Sequence, residues 1–271
     1  MTAMPQKHAC QDTRLTMPRQ TIQRPFLSAP LAALLLALIL AGTPAEANPW
    51  RSVGSGMEYT DLQDNGLTPW SHIHAFRVDL KNYRFSTMLA QSLGKPHASV
   101  HELAANSNAL IASNGGFFDK NYRPLGLRLS NHQLLSPLKN VSWWGVFFTD
   151  GKRARIESPR HFHRTSGMDF AIQSGPRLLV NGQIPPLRPG RAERTALCIP
   201  RDGRVILVVT DNTPLTTTEL AQRLRKSPLH CMDALNLDGG SSSQLSARVG
   251  DFRLSVHGFA NVSDALLISH R

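Results

Sequence analysis

Asp238 stands behind a short apolar run and is followed by Gly239, Gly240, Ser241, Ser242 and Ser243, in the stretch DALNLDGGSSSQL. A strand that ends on a carboxylate and enters Gly-Gly can turn with positive φ and present successive N–H groups on a surface that no Cβ shields. With the serine hydroxyls as further donors, this loop reads as a nest for phosphate or sugar oxygens, with Asp238 at its rim. Asp-Gly and Gly-Ser are also ordinary turn chemistry, so the segment alone does not decide. A second stretch, ASNGGFFDKNYRPLG, leaves an apolar run in the same way at Asn114, Gly115 and Gly116, with Phe118 and Asp119 close behind. A third, IQSGPRLLVNG, sets Ser174 and Gly175 before Pro176, and RAERTALCIP places Arg194 at the head of another apolar run. Glycine beside a short polar group at three run ends suggests loops converging on one site. Its chemistry would join carboxylates for acid, base or nucleophilic work to donors for an anion.

The elements that must position these groups are mostly strands. Asn181-Gly182, Asp150-Gly151 and Asp202-Gly203 each divide two apolar, β-branched segments, which predicts hairpins and a largely antiparallel sheet. Two helices interrupt it. SVHELAANSN opens with Ser99 three residues before Glu102, and TTTELAQRLRK repeats this capping-box spacing with Thr216 and Glu219. The second helix is preceded by RVILVVT, an apolar run continuous enough for burial on both faces, and followed by ALNL. This predicts one βαβ unit with parallel strands, and it places Asp211 and Asp238 at carboxyl ends of strands, where open α/β sheets bind ligands. The fold class expected is α+β: a single domain of mixed, largely antiparallel sheet with a few helices. PLRPGRAER, residues 186–194, reads as an exposed loop.

Residues 1–47 are set apart as an export leader. Leu27 to Leu40 is apolar, and AGTPAEA ends at Ala47 in an A-x-A cleavage pattern; Met17 offers an alternative start with a compact basic n-region. The run contains Pro30 and is short for a membrane span, so no stable span is expected after cleavage, and 48–271 forms the mature domain, periplasmic or secreted. Removing the leader lowers the formal net charge from +11 to +9. That field favours anionic partners, such as sugar phosphates, acidic polysaccharide or a membrane surface. Nucleic acid is not expected, because no clustered Lys/Arg run or recognition module occurs. Cys198 and Cys231 either bridge in an oxidising compartment or remain two buried thiols.

The ordered series NGGFFD, PLGL, WGVFFTDG, QSGPRLLVNG, RTALCI and LNLDGGSSSQL resembles the phosphodiester glycosidase family, from about Ala109 to Ile268 and more faintly back to Tyr59. The resemblance implies an α+β catalytic domain and hydrolysis of a sugar 1-phosphodiester at the anomeric carbon. It places the family pattern on Asn114, Gly115, Gly116, Phe118 and Asp119, on Ser174, Gly175 and Pro176, on Arg194, and on Asp238, Gly239, Gly240 and Ser242. Two departures stand out. Ser241 occupies a position where many relatives have a third glycine, and the closing HGFANVSDALLI lacks the arginine that many carry there.

A phosphate monoester is a far better leaving group than an alkoxide, so charge stabilisation can replace much of the general acid's work. Arg194 and the Gly239 and Gly240 amides are the expected suppliers. Asp238 is expected to act as base or nucleophile, with Asp119 as the alternative carboxylate, while Asn114 and Ser174 orient sugar or phosphate oxygens. The other function class consistent with these residues is a non-catalytic envelope protein that binds an anionic glycan in the same cleft during polysaccharide assembly.

Other chemistries leave weaker traces. HFH, His161 to His163, would set two imidazoles on one strand face but lacks a third zinc ligand at a telling distance. No G-x-S-x-G elbow, zincin helix, Walker loop or G-x-G-x-x-G occurs. No cofactor is implied, and a divalent cation near Asp119 or Asp238 stays open. Of Trp143 and Trp144, at most one is expected to face a sugar, because neighbouring strand residues point to opposite sides.

Overall fold

The run TALCIP is buried at every position of β12 (Thr195–Pro200), because each face of the strand meets a different apolar layer. Leu197 and Ile199 enter a central core, while Ala196 and Cys198 pack under helix α2 (Thr217–Arg225) with Leu220 and Leu224. Burying each of those helix leucines contributes about 1.5–3 kcal/mol. The Thr216–Glu219 capping box closes at the start of α2, and Pro228, three residues past its end, cannot continue it. In the computed structural model the described residues are 49–62 and 69–271. The apolar run 27–40, the cleavage pattern and Met17 lie outside them.

Three antiparallel sheets surround the central core. The first orders β1 (Arg51–Gly54), β2 (Met57–Asp61), β3 (His72–Val78), β13 (Val205–Asp211), β12, β14 (Cys231–Asn236) and β11 (Arg177–Leu179). The second orders β7 (Gln133–Ser136), β6 (Arg128–Ser130), β10 (Phe170–Ser174), β8 (Gly145–Thr149) and β9 (Ala154–Glu157). The third orders β16 (Phe252–Val256), β15 (Leu245–Val249), β5 (Ile111–Asn114), β17 (Asp264–His270) and β4 (Tyr83–Leu89). Leu207, Phe147 and Leu266 represent the three sheets in the shared core. Helix α1 (Val100–Ala105) covers the outer face of the third sheet through Val100 and Leu103.

The expected fold class is what the structure shows, with one refinement. β13 and β14 run in the same direction on either side of α2, but β12 lies between them and pairs antiparallel with both. The βαβ crossover is therefore split, and β13 is apolar from Val205 to Val209 because core and helix cover its two faces, not because its ladders are parallel. The Asp150-Gly151 and Asp202-Gly203 turns join paired strands, and Asn181-Gly182 turns with φ of 49° and 77° between bridged Val180 and Gln183. At α1 the Ser99 hydroxyl accepts the Glu102 N–H, but the Glu102 carboxylate pairs with Lys95 instead of completing the box. Cys198 and Cys231, on adjacent strands, form a disulfide with Cα atoms 5.8 Å apart. HFH is not in a strand: Phe162 packs on Phe148 while both histidines face solvent. Among the described residues no helix is long and apolar enough to cross a membrane.

Candidate active site

Segments from all three sheets meet where β5, β10 and β14 end and β12 begins. Asp238 N–H donates to Gly115 O at 3.2 Å, and Leu237 N–H donates to Thr195 O at 2.8 Å. On the other flank, Asn236 N–H donates to Pro176 O at 3.0 Å, and its side-chain amide to Gly175 O at 3.1 Å. Thus the loops carrying Asn114, Ser174, Arg194 and Asp238 are joined backbone to backbone.

Asn114 is the hub of this junction. Its Nδ2 donates to Asp238 O at 2.8 Å, while its Oδ1 accepts from Thr195 Oγ1 at 2.7 Å and from Gln244 N–H at 3.2 Å. Gln244 in turn accepts the Val100 N–H at the start of α1 and donates to Ala260 O. The Asn114 side chain, expected to orient substrate oxygens, is fully buried, and both ends of its amide are bonded to protein, one of them to the Asp238 carbonyl.

The amides of the expected anion nest have partners within the protein. Gly239 N–H donates to Asp238 Oδ1 at 3.0 Å, and Gly240 N–H donates to Glu193 O at 2.7 Å, so both amides are already partnered. Gly239 is small for a packing reason, since a Cβ there would lie 2.7 Å from the Glu193 carbonyl oxygen. Gly240 has φ +63°, the left-handed turn that the sequence suggested. Ser241 is exposed, and its carbonyl accepts the N–H groups of Phe259 and Ala260.

Gly115 and Gly116 also make room for something the sequence reading missed. A Cβ on Gly115 would lie 2.7 Å from the Asp264 carboxylate, and one on Gly116 would lie 2.7 Å from Arg128 Nη2. Arg128 and Asp264 are fully buried and form an ion pair through Arg128 Nε and Asp264 Oδ2. The guanidinium also donates to Leu127 O, Gln173 O and Phe117 O, and Ser263 Oγ donates to Asp264 Oδ1 at 2.8 Å. Such a pair persists in the interior only because its remaining donors and acceptors are filled. The closing segment that lacks its own arginine thus receives one from β6. The only hint in the sequence was a charge inside the apolar GLRLS.

Asp238 lies against this pair. Its pKa is pushed up, first by burial and then by the neighbouring Asp264 charge, against the pull of the Ser242 hydroxyl, the Gly239 N–H and Arg128. Asp264 is committed to Arg128, and Glu193, half-buried with its pKa also raised by burial, accepts from the Thr210 hydroxyl and the Thr213 N–H; Asp238 is held by the Gly239 N–H and the Ser242 hydroxyl. Among the described residues no three His, Cys, Asp or Glu side chains are grouped as a metal site.

The remaining expected residues divide. Ser174 is fully buried at the end of β10 with no partner for its hydroxyl among the described residues, and Gly175 packs on Trp144, which would lie 2.6 Å from a Cβ. Asp119 Oδ1 accepts the N–H groups of Asn121 and Arg123, which lowers its pKa, so it closes a turn and none of its hydrogen bonds reaches Asp238. Phe118 stacks on Tyr122 at 5.1 Å, as wall rather than reactant. Arg194 is half-buried, and its guanidinium donates to Leu215 O at 2.8 Å and Gly190 O at 2.5 Å, pinning the loop 186–194. That loop, Trp143, Pro176 and Arg194 line a groove of about 450 Å³. Trp143 is 51% exposed at its edge, whereas Trp144 is buried. Among the described residues the groove's lining includes no carboxylate. Through Pro176 and Arg194 it runs beside the 236–240 segment.

A loop-built junction of this kind, on three antiparallel sheets with two α-helices among the described residues, defines an α+β domain with buried carboxylates beside a cationic groove. The chain belongs to the phosphodiester glycosidase family, whose sequence profile matches residues 107–269. It is 29% identical over 165 residues to the uncharacterized protein YigE of Escherichia coli strain K12, across 55% of this chain and 63% of that protein. The chain therefore spans less than two thirds of that relative's length. Its fold is shared with the catalytic domain of zebrafish N-acetylglucosamine-1-phosphodiester alpha-N-acetylglucosaminidase, auto-inhibited by its pro-peptide: TM-score 0.60 and 20% identity over 82% of this chain and 86% of that one. A hypothetical protein from Synechocystis has a TM-score of 0.60 and 18% identity, over 84% of this chain and 65% of that one.

Proposed function

We propose that this protein is an exported hydrolase that cleaves a sugar 1-phosphodiester at the anomeric carbon, with Asp238 as base or nucleophile. The observation that carries the reading is Asp238 itself: a largely desolvated carboxylate, held by Gly239 and Ser242, whose charged neighbours Arg128 and Asp264 neutralise each other. In the reaction the bond from the anomeric carbon to the phosphate oxygen breaks, and that oxygen leaves with its electron pair as a phosphate monoester. Water supplies the new hydroxyl on the sugar and gives up a proton. With the Gly239 and Gly240 amides already partnered, phosphate stabilisation falls to the charge of Arg194 in the groove wall, whose Nε and Nη2 hold the loop, and to the exposed hydroxyl of Ser241. The apolar run and A-x-A pattern support export, and the Cys198–Cys231 disulfide fits an oxidising compartment.

Hydrolysis in oxygen-18 water tests the bond cleaved. Label is expected in the sugar hydroxyl, and label in the phosphate would show attack at phosphorus and sink the assignment. The engaged amides favour one second reading, a cleft that binds an anionic glycan without turning it over. Tight binding of a sugar phosphodiester with no hydrolysis by the wild-type protein would select it.

A further inference from the structure

Six cations, Lys81, Lys152, Arg153, Arg155, Arg201 and Arg204, surround a basin of about 440 Å³ at the other end of the strands from Asp238. They come from the connections β3–β4, β8–β9 and β12–β13 and from the start of β9. The basin's lining carboxylates are Asp79 and Asp202, so it carries a surplus of four positive charges. Arg204 is held by Asp202 and Glu58. The other five cations are exposed and have no ion pair among the described residues.

The acids here shape the backbone more than they neutralise the basin. Asp79 Oδ1 accepts the Lys81 N–H at 2.9 Å, Asp150 Oδ1 accepts those of Lys152 and Arg153 at 3.0 and 2.8 Å, and Asp202 Oδ1 accepts that of Arg204 at 3.0 Å. Gly151 and Gly203, both at φ +79°, complete the two hairpin tips. Like charges are thus presented on turns whose geometry is set beforehand, which reduces the ordering cost of binding.

We propose that this basin is a second binding site, for a glycan chain bearing repeated phosphate or carboxylate groups. Concavity and charge argue for a polyanion. The lining argues against the other large anions: its apolar members are the buried Leu80 and the half-buried Ala154. A flat bilayer surface meets only the rim of a concave basin and finds no apolar side chain here to insert, and a single-stranded nucleic-acid site presents aromatic platforms. Seven residues of β13 separate the basin from the Asp238 end, about 20 Å at strand rise. A polymer held here would therefore be engaged remotely from the cleft, and the inference does not depend on the hydrolytic reading.

The test uses a fluorescently labelled sugar-phosphate oligomer of six or more units, titrated with the mature protein at low and at physiological salt. The triple variant Lys152→Ser, Arg153→Ser, Arg155→Ser is expected to bind about tenfold or more weakly, with a shallower salt dependence. A control of equal net charge, Arg225→Ser, Lys226→Ser, Arg253→Ser, should bind within about twofold of wild type, marking the site against the whole-protein field. Hydrolysis of a small sugar phosphodiester should be the same in wild type and the basin variant, so absent turnover would count against the proposed activity and not against the basin. Equal weakening in both variants, unchanged binding in the basin variant, or tighter binding to anionic vesicles or to DNA of matched length would overturn the proposal.

Discussion

Replacing Arg128 by Met is the sharpest test of how the junction is held together. The substitution keeps most of the side-chain volume but removes the charge opposite Asp264, a fully buried carboxylate that among the described residues is otherwise bonded by the Ser263 hydroxyl. Three carbonyls, of Leu127, Gln173 and Phe117, lose a donor in the same step. Breaking a buried ion pair from one side costs about 3–5 kcal/mol, because the surviving charge is left without compensation. For a unit of this size that is a fall in Tm of roughly 6–20 °C. Denaturant unfolding with the disulfide intact, followed by tryptophan fluorescence, measures it directly. Removing both charges, Arg128→Met with Asp264→Leu, should cost less than the sum of the two single changes by about 2 kcal/mol or more. The same single variant removes the cation that lowers the Asp238 pKa and keeps the carboxylate that raises it, so the acid limb of the pH–rate profile should move to higher pH. An Arg128→Met protein within about 1 kcal/mol of wild type, or a double variant that loses the full sum, would refute the argument that this pair organises the junction.

Asp238→Asn is expected to lower kcat by about a thousandfold or more while leaving the circular dichroism unchanged. Because the folded-state pKa of Asp238 is raised, the wild-type group favours folding below its unfolded pKa, and that advantage fades as pH rises through the folded value. The variant should therefore gain stability relative to wild type from acidic to neutral pH, and a gap that narrows over that range would contradict the shift. Gly115→Ala drives a Cβ against the Asp264 carboxylate and should destabilise by about 1–3 kcal/mol; a neutral effect in thermal unfolding would argue against the close approach. Replacing both Cys198 and Cys231 by Ser opens a 33-residue link and should cost about 3–4 kcal/mol on the chain-entropy argument, while an unchanged denaturant midpoint would leave the bridge without a stabilising role.

Local chemistry made much of this protein readable. The Asp-Gly and Asn-Gly turns, the Thr216 capping box and the apolar runs are short-range signals, and strands, hairpins and α2 appear where they predict. The motifs NGGFFD, QSGPR and LDGGSSS likewise marked the segments that meet, since each leaves a strand end with glycine and a short polar group. What those residues do was not readable. Gly115 and Gly116 look alike in a sequence whether an anion or a neighbouring side chain occupies the space beside them, and the occupants, Asp264 and Arg128, arrive from far along the chain. Asn114 resembles a substrate ligand until Thr195, Gln244 and Asp238 are seen to use both ends of its amide. The strand between β13 and β14 is a matter of topology, which continuous hydrophobicity cannot report when two different layers bury the two faces. Residue type and spacing determined which loops meet at the junction. Tertiary packing decided which polar atoms are spent on the protein itself and which remain for a ligand, because hydrogen-bond satisfaction in a buried junction depends on partners distant in sequence.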